Sequence, residues 1–403
     1  MNRLLKILIL VLASFMVAGS NGCPFDVDEI LRGGSDGESA SLTWKRAQHV
    51  IGQSSMTVVE SDRSTDANTL LDPGGVIVSG GRLYIADSGA NRVLGWGSPP
   101  DRNNEAADFV LGQPGMSDDG RGRDRAGLHE PVGLIAGSWG LAVADLANHR
   151  VLLWNERPTS GPQDADRVFG QPTRDEVLLP GCDADAMDSP WGVAAPGSRL
   201  LVSDYENNRL LLFERGDASG ADARGVIGQP DLSTCVANRG QGQASADSLS
   251  GPAGIWTDGD RLAVADRFNN RVLLWDSFPE EGEPADRVIG QEDMDSNTTN
   301  AGGLERGLNA PTAVWWDGSR LFVADRGNHR VLIYDRWPSR NHVQADAVLG
   351  QPDRRSNQRN NTGDNSPVNA RSLSRPEAVY SDGEELLVVD SDNDRVLSFD
   401  ISD

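Results

Sequence analysis

The run Leu141-Ala-Val-Ala-Asp145-Leu-Ala-Asn148-His149-Arg150-Val-Leu-Leu-Trp154 occurs in six related copies along the chain. They span Leu83 to Trp96, Leu141 to Trp154, Leu200 to Phe213, Leu262 to Trp275, Leu321 to Tyr334 and Leu386 to Phe399. No other feature constrains the fold so tightly. A length of 403 residues by itself would allow two or three domains, but a tandem repeat overrides length as a guide to domain number. One repeat cannot bury its own apolar surface, so successive copies must stack into a common core.

Two further markers keep the same period. Gly-Gln follows β-forming residues at Gln53, Gln113, Gln171, Gln229, Gln291 and Gln351, with a first step of 113 − 53 = 60 and then steps of 58, 58, 62 and 60. An apolar residue precedes a proline by three positions at Leu70, Leu128, Met187, Leu249, Leu308 and Leu373. Each period therefore carries four short strands: one after the proline, Leu-x-Val-Ala-Asp, Arg-Val-Leu-Leu-Trp, and the strand ending in Gly-Gln. A strand with one wet face alternates apolar and polar residues, whereas Val-Leu-Leu-Trp does not alternate and must be covered on both faces. Four strands per repeat, each repeat lying between two others, predict an all-β, six-bladed β-propeller. A Gly-Gln strand precedes the first full repeat, and the last repeat ends at Phe399 without one. Residues 48–53 are thus expected to supply the outer strand of the blade built from 376–400, closing the ring and removing its open edges.

Pro-x-Gly-Val followed by Leu-x-Val-Ala-Asp-x-x-Asn-x-Arg-Val resembles the NHL repeat over about residues 44–403. The Gly-Gln-Pro between repeats resembles bacterial exported members of that group. The resemblance implies a six-bladed propeller. It does not imply one activity, because related propellers include lyases, lactonase-like hydrolases, RNA-binding domains and interaction platforms.

The N-terminus reads as a targeting signal. Arg3 and Lys6 precede an apolar run, Leu8 to Ala18, that is too short to span a bilayer. Gly22-Cys23 resembles a bacterial lipoprotein site with Cys23 as the lipidated first residue of the mature chain, although Ser20 stands where an apolar residue is usual. The alternative is cleavage near Ala18-Gly19-Ser20 and full secretion. The expected organisation is a signal peptide over 1–22, a flexible spacer over 23–43 and the propeller over 44–403. Export also accounts for the cysteines. Setting Cys23 aside leaves Cys182 and Cys235, in the same connecting loop of consecutive repeats, and a disulfide between them is expected.

Formal net charge is −23, and loss of 1–22 makes it (37 − 2) − 60 = −25. Such a chain lacks the basic footprint of a nucleic-acid binder, and it lacks a polybasic patch for anionic lipid. Membrane contact is expected only through the lipid, and the protein is expected to be a monomer in the cell envelope or outside it.

Candidate chemistry must be separated from framework. The pairs Asp87/Arg92, Asp145/Arg150, Asp204/Arg209, Asp266/Arg271, Asp325/Arg330 and Asp390/Arg395 flank the same hairpin in every repeat. No single active site needs six copies of a dyad. Residues flanking such a turn face each other across the ladder, so these are structural pairs. The Gly-Gln pairs are read likewise, with Gln expected to reach a neighbouring blade. Function is sought where the copies differ. Loops from fourth to first strand are long, the Gln-to-Pro steps being 20, 18, 19, 23, 20 and 25. The residues after each proline, near the channel mouth, are Gly74, Val132, Trp191, Ala253, Thr312 and Glu377. Trp191 offers a stacking surface and Glu377 a charge, and with Thr312 and the loop residue His129 they form the candidate binding set.

No catalytic residue and no metal ligand set is expected. The five histidines are dispersed, where zinc needs three together. Asp293-Met-Asp295-Ser-Asn297 begins like a calcium loop but lacks the later Gly and Glu. The expected function is a binding scaffold for protein, peptide or glycan, without cofactor. The alternative is a lyase or lactonase-like enzyme with zinc or calcium at the channel mouth.

Overall fold

A computed structural model of the chain describes residues 41–402 apart from 60–63, 174–178, 281, 362 and 364–366. Cys23, the segment 1–22 and most of 23–43 lie outside the described residues. Among the described residues, twenty-four strands form six antiparallel four-stranded sheets, each one blade. After β1 (His49–Ile51), blade one contains β2 (Gly75–Ser79), β3 (Arg82–Asp87), β4 (Arg92–Trp96) and β5 (Phe109–Leu111). Blade two contains β6 (Pro131–Gly137), β7 (Gly140–Asp145), β8 (Arg150–Trp154) and β9 (Arg167–Phe169). Blade three contains β10 (Pro190–Ala194), β11 (Arg199–Asp204), β12 (Arg209–Glu214) and β13 (Gly225–Ile227). Blade four contains β14 (Pro252–Thr257), β15 (Leu262–Asp266), β16 (Arg271–Trp275) and β17 (Arg287–Ile289). Blade five contains β18 (Ala313–Trp316), β19 (Leu321–Asp325), β20 (Arg330–Tyr334) and β21 (Ala347–Leu349). Blade six contains β22 (Pro376–Ser381), β23 (Glu385–Asp390) and β24 (Arg395–Asp400), with β1 as its outer strand.

The ring closes as the order of markers requires. His49 pairs with Ser398, Val50 with Leu397 and Ile51 with Val396. Packing at this seam begins with Leu42, which is buried against blades five and six.

The unbroken apolar runs are explained by where their two faces go. In β8, Val151 and Leu153 enter the core between blades two and three, while Leu152 and Trp154 enter the core between blades one and two. In β16, Leu273 and Trp275 face blade three and Val272 and Leu274 face blade five. Six apolar clusters result, one at each blade–blade interface. The period of two persists within each strand, but both faces are dry.

The Gly-Gln and Leu-x-x-Pro markers meet in space. Gly290 has φ +92°, and a Cβ there would lie 2.8 Å from the side chain of Leu308, the apolar marker of the next repeat. The other five glycines stand in the same relation to Leu70, Leu128, Met187, Leu249 and Leu373. Only glycine allows both the left-handed backbone and that close approach. The glutamines correct the sequence expectation. Instead of reaching a neighbouring blade, Gln113 Nε2 donates to the Asn91 carbonyl in its own blade and to Gly120 in the departing loop. Gln229, Gln291 and Gln351 do the same with Asn208, Asn270 and His329. The tight turn at each hairpin directs a carbonyl at the outer strand of that blade, and the glutamine satisfies it.

Candidate functional site: the channel mouth and the loops around it

Each hairpin between second and third strands is a hub for the long loops. In the described residues all six Asp–Arg pairs are fully buried, with Arg Nε to Asp Oδ2 distances of 2.6 to 2.8 Å. The other carboxylate oxygen accepts a backbone N–H from the arriving loop, as Asp204 does from Asp188 at 2.6 Å. The guanidinium donates to carbonyls of both loops that flank its blade. Arg271, for example, reaches Ser245 and Ser248 on the arriving side and Met294 on the departing side. These contacts place the hairpins and the fourth-to-first-strand loops at one end of the ring.

The residue before each arginine links one blade to the next. Asn91, His149, Asn208, Asn270, His329 and Asp394 all have φ between 51° and 55°. Asn208 Oδ1 accepts the N–H of Gly251 at 3.0 Å, and His149 Nδ1 accepts that of Ser189 at 3.1 Å. His329 Nδ1 accepts from Arg375, and Asp394 Oδ1 from Asp72 across the ring closure. His149 and His329 are therefore framework acceptors. Burial pushes the His329 imidazole below its ordinary pKa, with Asp392 opposing.

The first strands line a central cavity of about 200 Å³. Trp191, Thr312 and Glu377 all border it, together with Gly74. Trp315 also lines the cavity; its ring lies tilted against that of Tyr380, with centroids 5.0 Å apart, and packs against the core of blades one and two. His129 is not among the cavity's lining residues. Its backbone N–H is held by Asp145, its Nε2 lies 3.9 Å from Glu130, and burial lowers its pKa. Thr312 donates its hydroxyl to the Pro376 carbonyl at 3.2 Å, bridging blades five and six. A second depression beside the mouth, lined by Val132, Leu146 and Arg121, shares Trp191 with the channel.

The structure adds residues that the sequence reading did not single out. The position after each repeat Asp is occupied by Ser88, Leu146, Tyr205, Arg267, Arg326 and Ser391; Ser88 and Leu146 line the depression beside the mouth, and Tyr205, Arg267 and Arg326 contact residues that line the cavity. Arg326 Nε meets Glu377 Oε2 at 2.5 Å. Arg267 donates to the Tyr205 hydroxyl at 3.0 Å and lies over the rings of Trp191, Tyr205 and Phe268 at 5.2, 5.7 and 5.7 Å. Tyr205 packs on Trp191 and Phe268 in turn. Glu377 is 6 % exposed; burial raises its pKa, against the pull of Arg326 and Arg267. A signal for these residues was present, because this register varies from copy to copy directly after an aspartate that does not.

Cys182 and Cys235 form a disulfide with a Cα–Cα distance of 6.2 Å, joining the loops that lead into blades three and four. Among the described residues, the strongly exposed large apolar side chains are Val58, Val59, Leu179, Val236 and Phe268. All lie in fourth-to-first-strand loops or, for Phe268, in a hairpin at the same end. No group of three His, Cys, Asp or Glu side chains among the described residues is arranged to hold a metal ion.

No family model matches the chain. The NHL repeat-containing protein 2 of Gallus gallus is 24 % identical over 328 residues, which is 74 % of this chain and 43 % of that protein. The chain is a distant homologue of an NHL-repeat protein. It spans less than half the length of that relative. Among solved structures, Kuenenia stuttgartiensis hydrazine synthase superposes with a TM-score of 0.50 at 12 % identity, covering 85 % of this chain and 98 % of that one. A virginiamycin B lyase structure from Staphylococcus aureus gives 0.44 at 14 % identity, over 85 % and 97 %. At such identities the likeness concerns fold alone.

Proposed function

We propose that this protein is an exported binding scaffold, tethered to a bacterial membrane through Cys23, that holds a protein, peptide or glycan on its long-loop face. The observation that carries the reading is the one-sided distribution of exposed apolar side chains. Leu179 is 90 % exposed, and Val236 and Phe268 are more than half exposed, on loops held by a disulfide and buried arginines. Exposed apolar groups gathered on the loops of a rigid scaffold are where interaction surfaces are found. The enzyme alternative requires a divalent metal at the mouth, and the residues do not fit one. Among the described residues that line the central cavity, Glu377 is the single carboxylate, and Arg326 already engages it.

The test is capture from cell-envelope extracts and on glycan and peptide arrays by the mature chain. Replacing Leu179, Val236 and Phe268 with serine should abolish capture without lowering thermal stability. Arg261 and Trp337 form a cation–π pair that involves none of those three residues, and a Trp337→Phe variant should capture normally. Equal capture by the triple variant overturns the reading. Tethering is read by acyl labelling, which Cys23→Ser should eliminate.

A further inference from the structure

Two buried polar atoms beside the cavity lack partners and are of opposite kind: Glu377 lines the cavity, and Arg267 lies over Trp191, which lines it. Arg267 Nε is a donor and Glu377 Oε1 an acceptor. Among the described residues no carboxylate lies within ion-pair distance of Arg267, whose hydrogen-bond partner is the neutral Tyr205 hydroxyl. Glu377 is more than nine-tenths buried, borders the cavity and uses only its other oxygen, on Arg326. Arg267 is near enough to act on the Glu377 carboxyl. Buried polar atoms are almost always satisfied, so an orphaned donor and acceptor at one cavity mouth indicate what a ligand would supply.

We propose that the channel mouth binds a small organic carboxylate carrying an adjacent O–H or N–H donor, its carboxylate on Arg267 and its donor on Glu377. This deepens the scaffold reading and rests on it, the ligand being either free or the terminus of a larger molecule. A carboxylate matches the guanidinium fork and brings one negative charge. A phosphate dianion would bring more charge against Glu377, a like-charge contact that disfavours it. A neutral sugar would satisfy Glu377 but leave the Arg267 charge without a counter-charge. The rings of Trp191, Tyr205 and Phe268 supply an apolar wall for the carbon skeleton. Hydroxy acids, uronic acids and amino acids share this chemistry.

The experiment is titration calorimetry of the mature chain with lactate, glutamate and glucuronate, and with methyl glucoside and inorganic phosphate as controls. At least one of the three carboxylates should bind, with both controls at least tenfold weaker. Arg267→Met keeps the stem against the rings and should weaken binding at least tenfold. Arg267→Lys, which keeps charge but loses the fork, should fall between. The inference is overturned if no carboxylate binds, if phosphate binds as well as the best of them, or if either folded variant binds like the parent. The two readings separate cleanly. Array capture that survives Arg267→Met, with no carboxylate bound, leaves the scaffold standing without this site. Carboxylate binding lost in Arg267→Met, with no capture of larger molecules, leaves the site without the scaffold. Glucuronate free in solution, compared with glucuronate at the end of an arrayed glycan, distinguishes the two sources.

Discussion

At the scale of single residues, the six buried Asp–Arg pairs show why a repeated dyad is framework. Arg209 donates to Asp204, to the carbonyls of Asp183 and Ala186, and to Leu232 in the departing loop. Arg209→Met removes all of these and leaves a buried carboxylate without its countercharge, a change that costs about 3–5 kcal/mol. Urea unfolding should show that loss; a change below about 1 kcal/mol would match an exposed pair instead. His329 makes a second case. Its Nδ1 must be unprotonated to accept the Arg375 N–H, and burial lowers its pKa, so folding favours the neutral ring. Stability from this group is present above the unfolded value of about 6.5 and is lost as pH falls through the lower folded value. His329→Asn keeps an acceptor and tolerates the left-handed turn without titrating. Its unfolding free energy should fall less than that of the parent between pH 7.5 and 5.5, by about 1 kcal/mol or less. Parallel profiles would remove His329 from the pH response.

At the scale of elements, the loops are held by more than their own sequence. The loop into blade three meets Arg209 through the Cys182 carbonyl, and its cysteine is bonded to Cys235 in the next loop, 53 residues on. Replacing both cysteines with serine should cost about 2–4 kcal/mol, since the unfolded chain regains loop freedom. The blades themselves should persist, because no strand includes either cysteine. Loss of far-ultraviolet β signal in that variant at 25 °C would show that the loops are needed to form the sheets.

At the scale of the whole molecule, β1 makes the ring one cooperative object. It pairs with β24 and places Val50 in the core between blades five and six and Ile51 in the core between six and one. Deleting residues 44–53 exposes the outer edge of β24 and removes Val50 and Ile51 from two blade interfaces. The melting temperature of the entire ring should fall in a single shifted transition. A truncated chain that melts like the parent would contradict this closure.

The sequence by itself determined the blades. Strand order, ring closure, the Asp–Arg register and the Cys182–Cys235 bond follow from local pattern and from counting, because each rests on residues at a fixed spacing. The role of glutamine was misread, since whether Gln113 bonds its own blade or the next depends on where one turn directs a carbonyl. The mouth was only partly legible. Trp191, Thr312 and Glu377 differ between copies and do converge, but His129 lies apart, and Arg267 and Arg326 went unnoticed beside an invariant aspartate. Tertiary structure decided that assembly. Arg267 meets Trp191 and Arg326 meets Glu377 between adjacent blades of the ring, from residues 76 and 51 positions apart in the chain (267 − 191 and 377 − 326). Blade formation is a matter of period, which a sequence displays directly. Convergence at the axis depends on how six blades are tilted and stacked, which no spacing within one repeat encodes.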